Sequence, residues 1–241
     1  MGKSIICETC GEVYEHLAYS WNMVPSQHRQ ISSTLWDTWQ KLENNQIVSY
    51  RMAPEQNLSV VEGNEVNEFA AFCKFKGLVL DVGCGPQPWP AYFGSPSMEV
   101  DFIGVEPLAG DVEADYVKLR AFGEYLPFQK KVFDHVIFAT SLDHMVDPFV
   151  PIAEAKRVCK PGGQVNIWIH EKKPEEPRPE RSPEWYERLE CPTLAEDVFR
   201  FTRITFDNLK SLLQHTDLKL DGWHELKRGE YRTSFFVRAI K

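Results

Sequence analysis

A mostly parallel α/β sheet of seven strands, with helices on both faces and its last strand antiparallel, is the fold this sequence predicts. Three observations carry it. Strand-like and helix-like segments alternate from Gly77 onward. An apolar run breaks into Gly-Cys-Gly at 83–85, and the chain closes on two strand-like stretches that can pair antiparallel. With 241 residues, 43% of them hydrophobic, the chain can bury a large core.

Each element has its own warrant. GLVLDV (77–82) is a short aliphatic run ending at glycines, as a buried strand does. MEVDFIGVE (98–106) alternates apolar and polar residues and stops before Pro107. ADYVKLRAF (114–122) is a weaker strand, VFDHVIFAT (132–140) a strong one, and QVNIWIH (164–170) the fifth. LKLDGWHEL (218–226) and RTSFFVRAI (232–240) are the final pair. DPFVPIAEAKRVCKPGG (147–163) predicts a helix with Asp147 as N-cap, Pro148 in its first turn and Lys160-Pro-Gly-Gly as its stop. Its residues Val150, Ile152, Ala153, Ala155 and Val158 share a face. ITFDNLKSLLQHT (204–216) is a second helix, apolar at Leu209, Leu212 and Leu213.

Residues 1–76 lie outside the alternation. They contain the aromatic stretch SSTLWDTWQKL (32–42) and read as a helical N-terminal cap on a domain spanning 77–241. Within that domain, residues 171–200 hold five prolines and dense charge. They follow a strand's carboxyl end, where open α/β sheets bind ligands, and read as a lid or substrate insertion.

The charge balance narrows the partners. A net charge of −8, from 27 basic and 35 acidic residues, argues against a nucleic-acid backbone. Apolar runs are too short to span a bilayer, and the start MGKSIICETC lacks a secretory h-region. Six scattered cysteines do not make a disulfide framework. These features predict a cytoplasmic protein, with a homodimer left open. Cys7-Glu-Thr-Cys10 is one CxxC knuckle, but a structural zinc usually takes two pairs, and His16 and His28 complete no recognised spacing. No metal is expected.

The stretch VLDVGCGPQPWP (79–90) carries the most information. Asp81, Gly83, Cys84 and Gly85 follow a strand, and Glu106 ends the next one, 25 positions after Asp81. An acidic residue at about that distance suits a carboxylate that accepts hydrogen bonds from ribose hydroxyls. A dinucleotide fingerprint would need a third glycine at 88, which is Pro88. A pyrophosphate would also need backbone N–H donors, which Pro86, Pro88 and Pro90 cannot supply. The ligand expected is one with a ribose and no phosphate, such as S-adenosylmethionine. The same prolines are expected to stiffen the start of a following helix. The bland alternative is that the turn merely links strand to helix.

Taken together, these segments resemble the class I S-adenosylmethionine-dependent methyltransferases of type 11, from about Gly77 to the C-terminus. The resemblance rests on VLDVGCG (79–85), GVEP (104–107), GEYLPF (123–128) before FDHVIFATSLDHMVDP (133–148), and EAKRVCKPGGQVNIWI (154–169). It implies a Rossmann-like sheet and S-adenosylmethionine as cofactor. It carries Asp81, Gly83, Cys84, Gly85, Glu106, Pro107, Gly123, Glu124, Thr140 and Ser141 onto cofactor-binding roles. Two positions depart from the pattern. Gln87 stands where a glycine is frequent, and Phe122 where an Asp is frequent, leaving Phe122 to border the adenine and Glu124 to meet its amino group. The turn together with SLDH (141–144) is similar to small methyltransferases of bacterial polysaccharide and glycan pathways, which implies a sugar hydroxyl as acceptor. Another small molecule, such as a natural product, or a catalytically inactive cofactor-binding protein are the alternatives.

Removing a hydroxyl proton calls for a group that titrates near neutrality. Asp143 and His144 follow a strand's carboxyl end and are the first acid/base candidates; a cap and a packed histidine are the competing reading. His170, with Glu171, ends the fifth strand and is the second. Trp185, Tyr186 and Arg200 in the insertion are the candidates for substrate contact, since sugar rings pack on aromatic faces.

Overall fold

The computed structural model describes residues 4–26, 64–85, 87–94, 99–110, 112–175, 183–188 and 202–241, with six isolated positions between 37 and 48. Among the described residues ten strands join in one sheet. Strands β1 (Ser4–Ile6), β2 (Val13–His16) and β3 (Trp21–Asn22) precede helix α1 (Asn64–Cys73). Then come β4 (Gly77–Val82), β5 (Val100–Val105), β6 (Val117–Arg120) and β7 (Phe133–Ala139). Helix α2 (Phe149–Val158), β8 (Cys159–Lys172), α3 (Pro183–Arg188), α4 (Phe206–His215), β9 (Lys219–Arg228) and β10 (Arg232–Ile240) complete the chain.

The spatial order is β1-β2-β3-β6-β5-β4-β7-β8-β10-β9. All pairs from β3 to β8 are parallel, and β10 runs antiparallel to both β8 and β9. The seven expected strands are present, but the sheet has ten, which corrects the expected count. The extra three come from residues 4–22, so this part of the N-terminal region extends the sheet instead of forming a helical cap. Strands of three, four and two residues are too short for alternation to show in sequence. They are held by long-range bonds instead: Ser20 Oγ donates to Lys118 O at 2.9 Å and accepts from Arg120 N at 3.1 Å. Positions 37, 40, 41, 44, 45 and 48 are helical. The rest of the expected helix at 32–42, and most of the 171–200 insertion apart from its start and α3, lie outside the described residues.

Helices cover both faces of the sheet. On one face α2 and α4 bury Ile152, Ala155, Val158, Leu209 and Leu213 against Leu80, Val136 and Ile167. On the other α1 buries Phe69 against Val79, Ile137, Trp168 and Phe236. Helix α2 ends at Val158, two residues before the expected stop at Lys160, because Pro161 holds Lys160 to an extended backbone and Cys159 is already paired with Phe133 in the sheet. Helix α4 starts in a capping box: Thr205 Oγ1 accepts from Asn208 N at 3.1 Å.

The crossover from β4 to β5 departs from expectation. Among its described residues there is only the three-residue 3-10 turn Ala91–Phe93 where a helix was expected after the prolines. Prolines cannot donate the bonds that would propagate a helix. Aromatic rings fill the space instead. Phe93 stacks on Phe102 with ring centroids 3.8 Å apart, and Trp89 packs edge-on against Phe93, Phe102 and Tyr116. Trp89 Nε1 donates to Gly94 O at 2.7 Å, so this tryptophan closes the crossover and does not face the glycine turn.

Phe69 is fully buried and its ring lies 5.2–6.0 Å from those of Trp168, Phe236 and Tyr92. Phe69→Ala is therefore expected to lower unfolding free energy by about 3–5 kcal/mol, with Phe69→Leu costing far less, as read from urea unfolding midpoints.

Candidate functional site

The glycine turn sits at the carboxyl end of β4, with the ends of β5 and β7 on either side. Gly83 and Gly85 adopt φ of +77° and +72°, a region in which L side chains are strained. A Cβ on Gly83 would also lie 2.4 Å from Ser141 Cβ. Glu106 closes the turn: its Oε2 accepts from Gly85 N at 2.8 Å and its Oε1 from Leu108 N at 3.2 Å. From β6, Lys118 Nζ donates to Gly85 O at 2.9 Å and to Gln87 O at 2.6 Å. Gln87 Nε2 donates to Cys84 O at 2.7 Å, so the residue at the departing position braces the turn.

The charges here are buried. Asp81 has no exposed surface; Tyr92 Oη donates to its Oδ2 at 2.7 Å, while Oδ1 has no hydrogen-bond partner among the described residues. Burial, only partly opposed by Tyr92 and Lys118, pushes the Asp81 carboxyl up to about 7. Burial also raises Glu106, against the pull of its two N–H donors and the charges of Lys118 and His144. The Cys84 thiol is driven well upward by burial and stays a neutral, space-filling group. Gly104 makes room for it, since a Cβ there would meet Cys84 Sγ at 2.6 Å.

The other expected residues fall around this turn to differing degrees. Pro107 is half-buried directly after Glu106. Gly123 packs where a Cβ would strike Met145 Sδ at 2.7 Å and Val82 Cγ1 at 2.9 Å. Glu124 is buried, and its Oε1 accepts from Val146 N at 3.0 Å, so one of its oxygens serves the chain and not a ligand. Phe122 is half-buried at the start of that loop. Thr140 holds a φ of +59°, uncommon for a β-branched residue, and Ser141 Oγ donates to Val82 O. Asp143 and His144 form the next 3-10 turn, with His144 Nε2 3.7 Å from Asp143 Oδ1.

His170 belongs to a different cluster, on the α1 face. Trp168 Nε1 donates to its Nε2 at 3.1 Å, which fixes that nitrogen as an acceptor, and Glu65 Oε1 is 3.6 Å away. Glu171 accepts from Phe206 N and so caps α4. Trp185 and Tyr186 lie on α3, and Arg200 is outside the described residues. Among the described residues no three His, Cys, Asp or Glu side chains group to hold a metal ion.

A buried carboxylate with an unpaired oxygen, next to a second carboxylate with lone pairs to spare, suits a ligand bearing hydroxyls and an ammonium group. Asp81 Oδ1 is the observation that tests this fit, because an orphaned buried acceptor calls for a donor. The short crossover offers no helix N-terminus among its described residues, so the arrangement is poor for phosphate. Sequence reasoning missed Tyr92 and Lys118. Lys118 is buried while its neighbour Val117 is 58% exposed, an inversion that no hydropathy pattern announces.

Residues 80–167 match the methyltransferase domain family. An uncharacterized methyltransferase of Schizosaccharomyces pombe is 35% identical, over 36% of this chain and 37% of its own length. One from Mycobacterium sp. (strain JLS) is 33% identical, over 38% of this chain and 39% of its own length. The matched region thus spans under two-fifths of these curated relatives. In fold, the crystal structure of Burkholderia thailandensis 1,6-didemethyltoxoflavin-N1-methyltransferase, with bound 1,6-didemethyltoxoflavin and S-adenosylhomocysteine, aligns over 99% of this chain and 100% of its own, with a TM-score of 0.61 and 13% identity. In sequence over residues 80–167, and in fold over the whole sheet, the chain is similar to class I methyltransferases.

Proposed function

We propose that the protein is an S-adenosylmethionine-dependent methyltransferase of the cytoplasm that acts on a small-molecule acceptor, a hydroxyl of a sugar or glycan precursor. The observation that carries the reading is the Asp81–Glu106 pair around a glycine turn that, among the described residues of the crossover, has no phosphate-binding helix behind it. Glu106 would hold the ribose hydroxyls and Asp81 Oδ1 the ammonium group. When bound, the cofactor supplies an electrophilic methyl group on a sulfonium sulfur. The chain's task is alignment and exclusion of water, because methyl transfer is an in-line displacement. His144, with Asp143 beside it, would take the acceptor's proton. The sugar acceptor is supported by the resemblance of the turn and of SLDH to glycan-pathway methyltransferases. A second reading, a ring nitrogen of a natural product, is favoured by the full-length likeness to the toxoflavin-pathway enzyme. Acceptor panels of both kinds decide between them.

Calorimetry with S-adenosylmethionine is expected to show binding that Asp81→Ala and Glu106→Ala each weaken at least tenfold, about 1.4 kcal/mol. Absence of binding by the wild type would falsify the reading. His144→Ala should lower kcat by roughly 10²–10⁴-fold with little change in cofactor affinity; an unchanged kcat removes it as the base.

Asp81 also sets a pH dependence. Its carboxyl is protonated below about 7 in the free protein, and an ammonium ligand needs it ionised. Binding then releases a proton, so affinity should rise with pH towards 7 and level off above it. Titrations between pH 6 and 8, in buffers of different ionisation heat, check this. Asp81→Asn should bind weakly with a flat profile.

A further inference from the structure

Lys118 is the one buried lysine among the described residues, 6% exposed. An ammonium group leaves water at a cost of several kcal/mol unless its hydrogens are matched. Here it donates to two carbonyls of the same turn, Gly85 O and Gln87 O. The groups facing it come from every neighbouring element. Asp81 on β4 and Glu106 after β5 feel its charge, Cys84 lies in the turn, and the Tyr116 ring centroid is 5.4 Å from its Nζ. Tyr92 reaches the same group through Asp81, and His144 through Glu106.

The peptide around Gly85 is therefore gripped from two sides. Its N–H goes to Glu106, and its C=O goes to Lys118. We propose that Lys118 is a positioning residue of the cofactor pocket, one that fixes the glycine turn through the carbonyls of Gly85 and Gln87 and so holds the Gly85 N–H on Glu106, the carboxylate that would accept hydrogen bonds from the ribose hydroxyls. This inference rests on the methyltransferase reading, and it adds a residue that the family resemblance does not assign. A lysine with only a structural role would change melting temperature and leave ligand recognition untouched.

The test uses the full chain carrying Lys118→Gln or Lys118→Arg. Affinity for S-adenosylmethionine is measured by calorimetry from pH 6 to 8.5, and amide hydrogen exchange across residues 83–88 is measured without ligand. Lys118→Gln should bind at least tenfold more weakly at pH 7.5 and show faster exchange in the turn. Its affinity should also fall away at a higher pH than in the wild type, because losing a nearby cation raises both Asp81 and Glu106. Lys118→Arg keeps the charge but not the fit to two carbonyls, so it should retain the wild-type pH profile with a severalfold weaker affinity. A folded Lys118→Gln with wild-type affinity, pH profile and exchange overturns the proposal. If the Gln variant does not fold, wild-type affinity in the Arg variant overturns it. Failure of the wild type to bind defeats the methyltransferase reading instead, and turn exchange in Lys118→Gln then still decides whether Lys118 holds the turn.

Discussion

Three buried charges at the carboxyl edge of the sheet impose the constraint that the rest of the site obeys. Asp81, Glu106 and Lys118 are each under 9% exposed, and none would leave water singly without a large desolvation cost. For Glu106 and Lys118 the chain meets that cost by routing main-chain groups to them, whereas Asp81 is met by the Tyr92 hydroxyl. Glu106 takes the N–H groups of Gly85 and Leu108, and Lys118 takes the carbonyls of Gly85 and Gln87. These bonds need a backbone that doubles back tightly, which is why glycines stand at 83 and 85. They also need a small residue at 104, where Cys84 and Tyr116 press against the sheet. Turn shape and site electrostatics are in this sense one property.

Among the described residues of the β4–β5 crossover no α-helix stands, and the same stretch accounts for it. A helix after the turn would have brought a positive N-terminus towards the ligand, favouring anions. The prolines prevent it, and the rings of Trp89, Tyr92 and Phe93 cover the sheet in its place. Tyr92 does more than fill space, because its hydroxyl meets Asp81 from that side. The substitution of an aromatic layer for a helix thus changes what the pocket can bind. It also leaves α1, from the N-terminal region, to complete the face through Phe69.

Much of this architecture was legible in the sequence. Most of the seven strands of the domain were readable because they carry aliphatic or alternating runs, as GLVLDV and FDHVIFA do; β6, with VKLR, was the weakest of them. The spacing singled out Glu106 as the carboxylate that ends the strand after the glycine turn, but not its bonds to the Gly85 and Leu108 N–H groups. The three N-terminal strands were not readable, since two to four residues carry no period and their stability comes from β6, nearly a hundred residues away. Lys118 was illegible for a related reason. In a strand reading V-K-L-R, hydropathy assigns the valine to the interior and the lysine to water, and the fold reverses both. Only the turn's carbonyls, brought there by tertiary structure, explain the reversal. Gln87 is intermediate: its departure from the family pattern was visible, but its use as a brace on Cys84 O was not.

The choice between the two histidines turns on where their nitrogens point. His170 stands in a saturated environment, with Nε2 accepting from Trp168 and with Glu65 engaged by Ser234 and Arg228. It knits β8, β10 and α1 together, and a proton acceptor already occupied by an indole N–H is poorly placed to serve a substrate. His144 lies instead on the side of the glycine turn, close enough for its charge to act on Glu106. What brings it there is the backbone at Thr140. A left-handed β-branched residue costs of order 1–3 kcal/mol, so the surroundings must over-determine it. They do: Thr140 N donates to Trp168 O at 3.0 Å, Ser141 Oγ donates to Val82 O, and His144 N donates to Ser141 O at 3.1 Å. The strain bends the chain at the end of β7 so that residues 141–144 lie over the turn instead of running on from the strand. On the proposed reading, that bend is what keeps the proposed base beside the glycine turn, since Ser141, which holds His144 N, is itself tied to Val82 O at the end of β4.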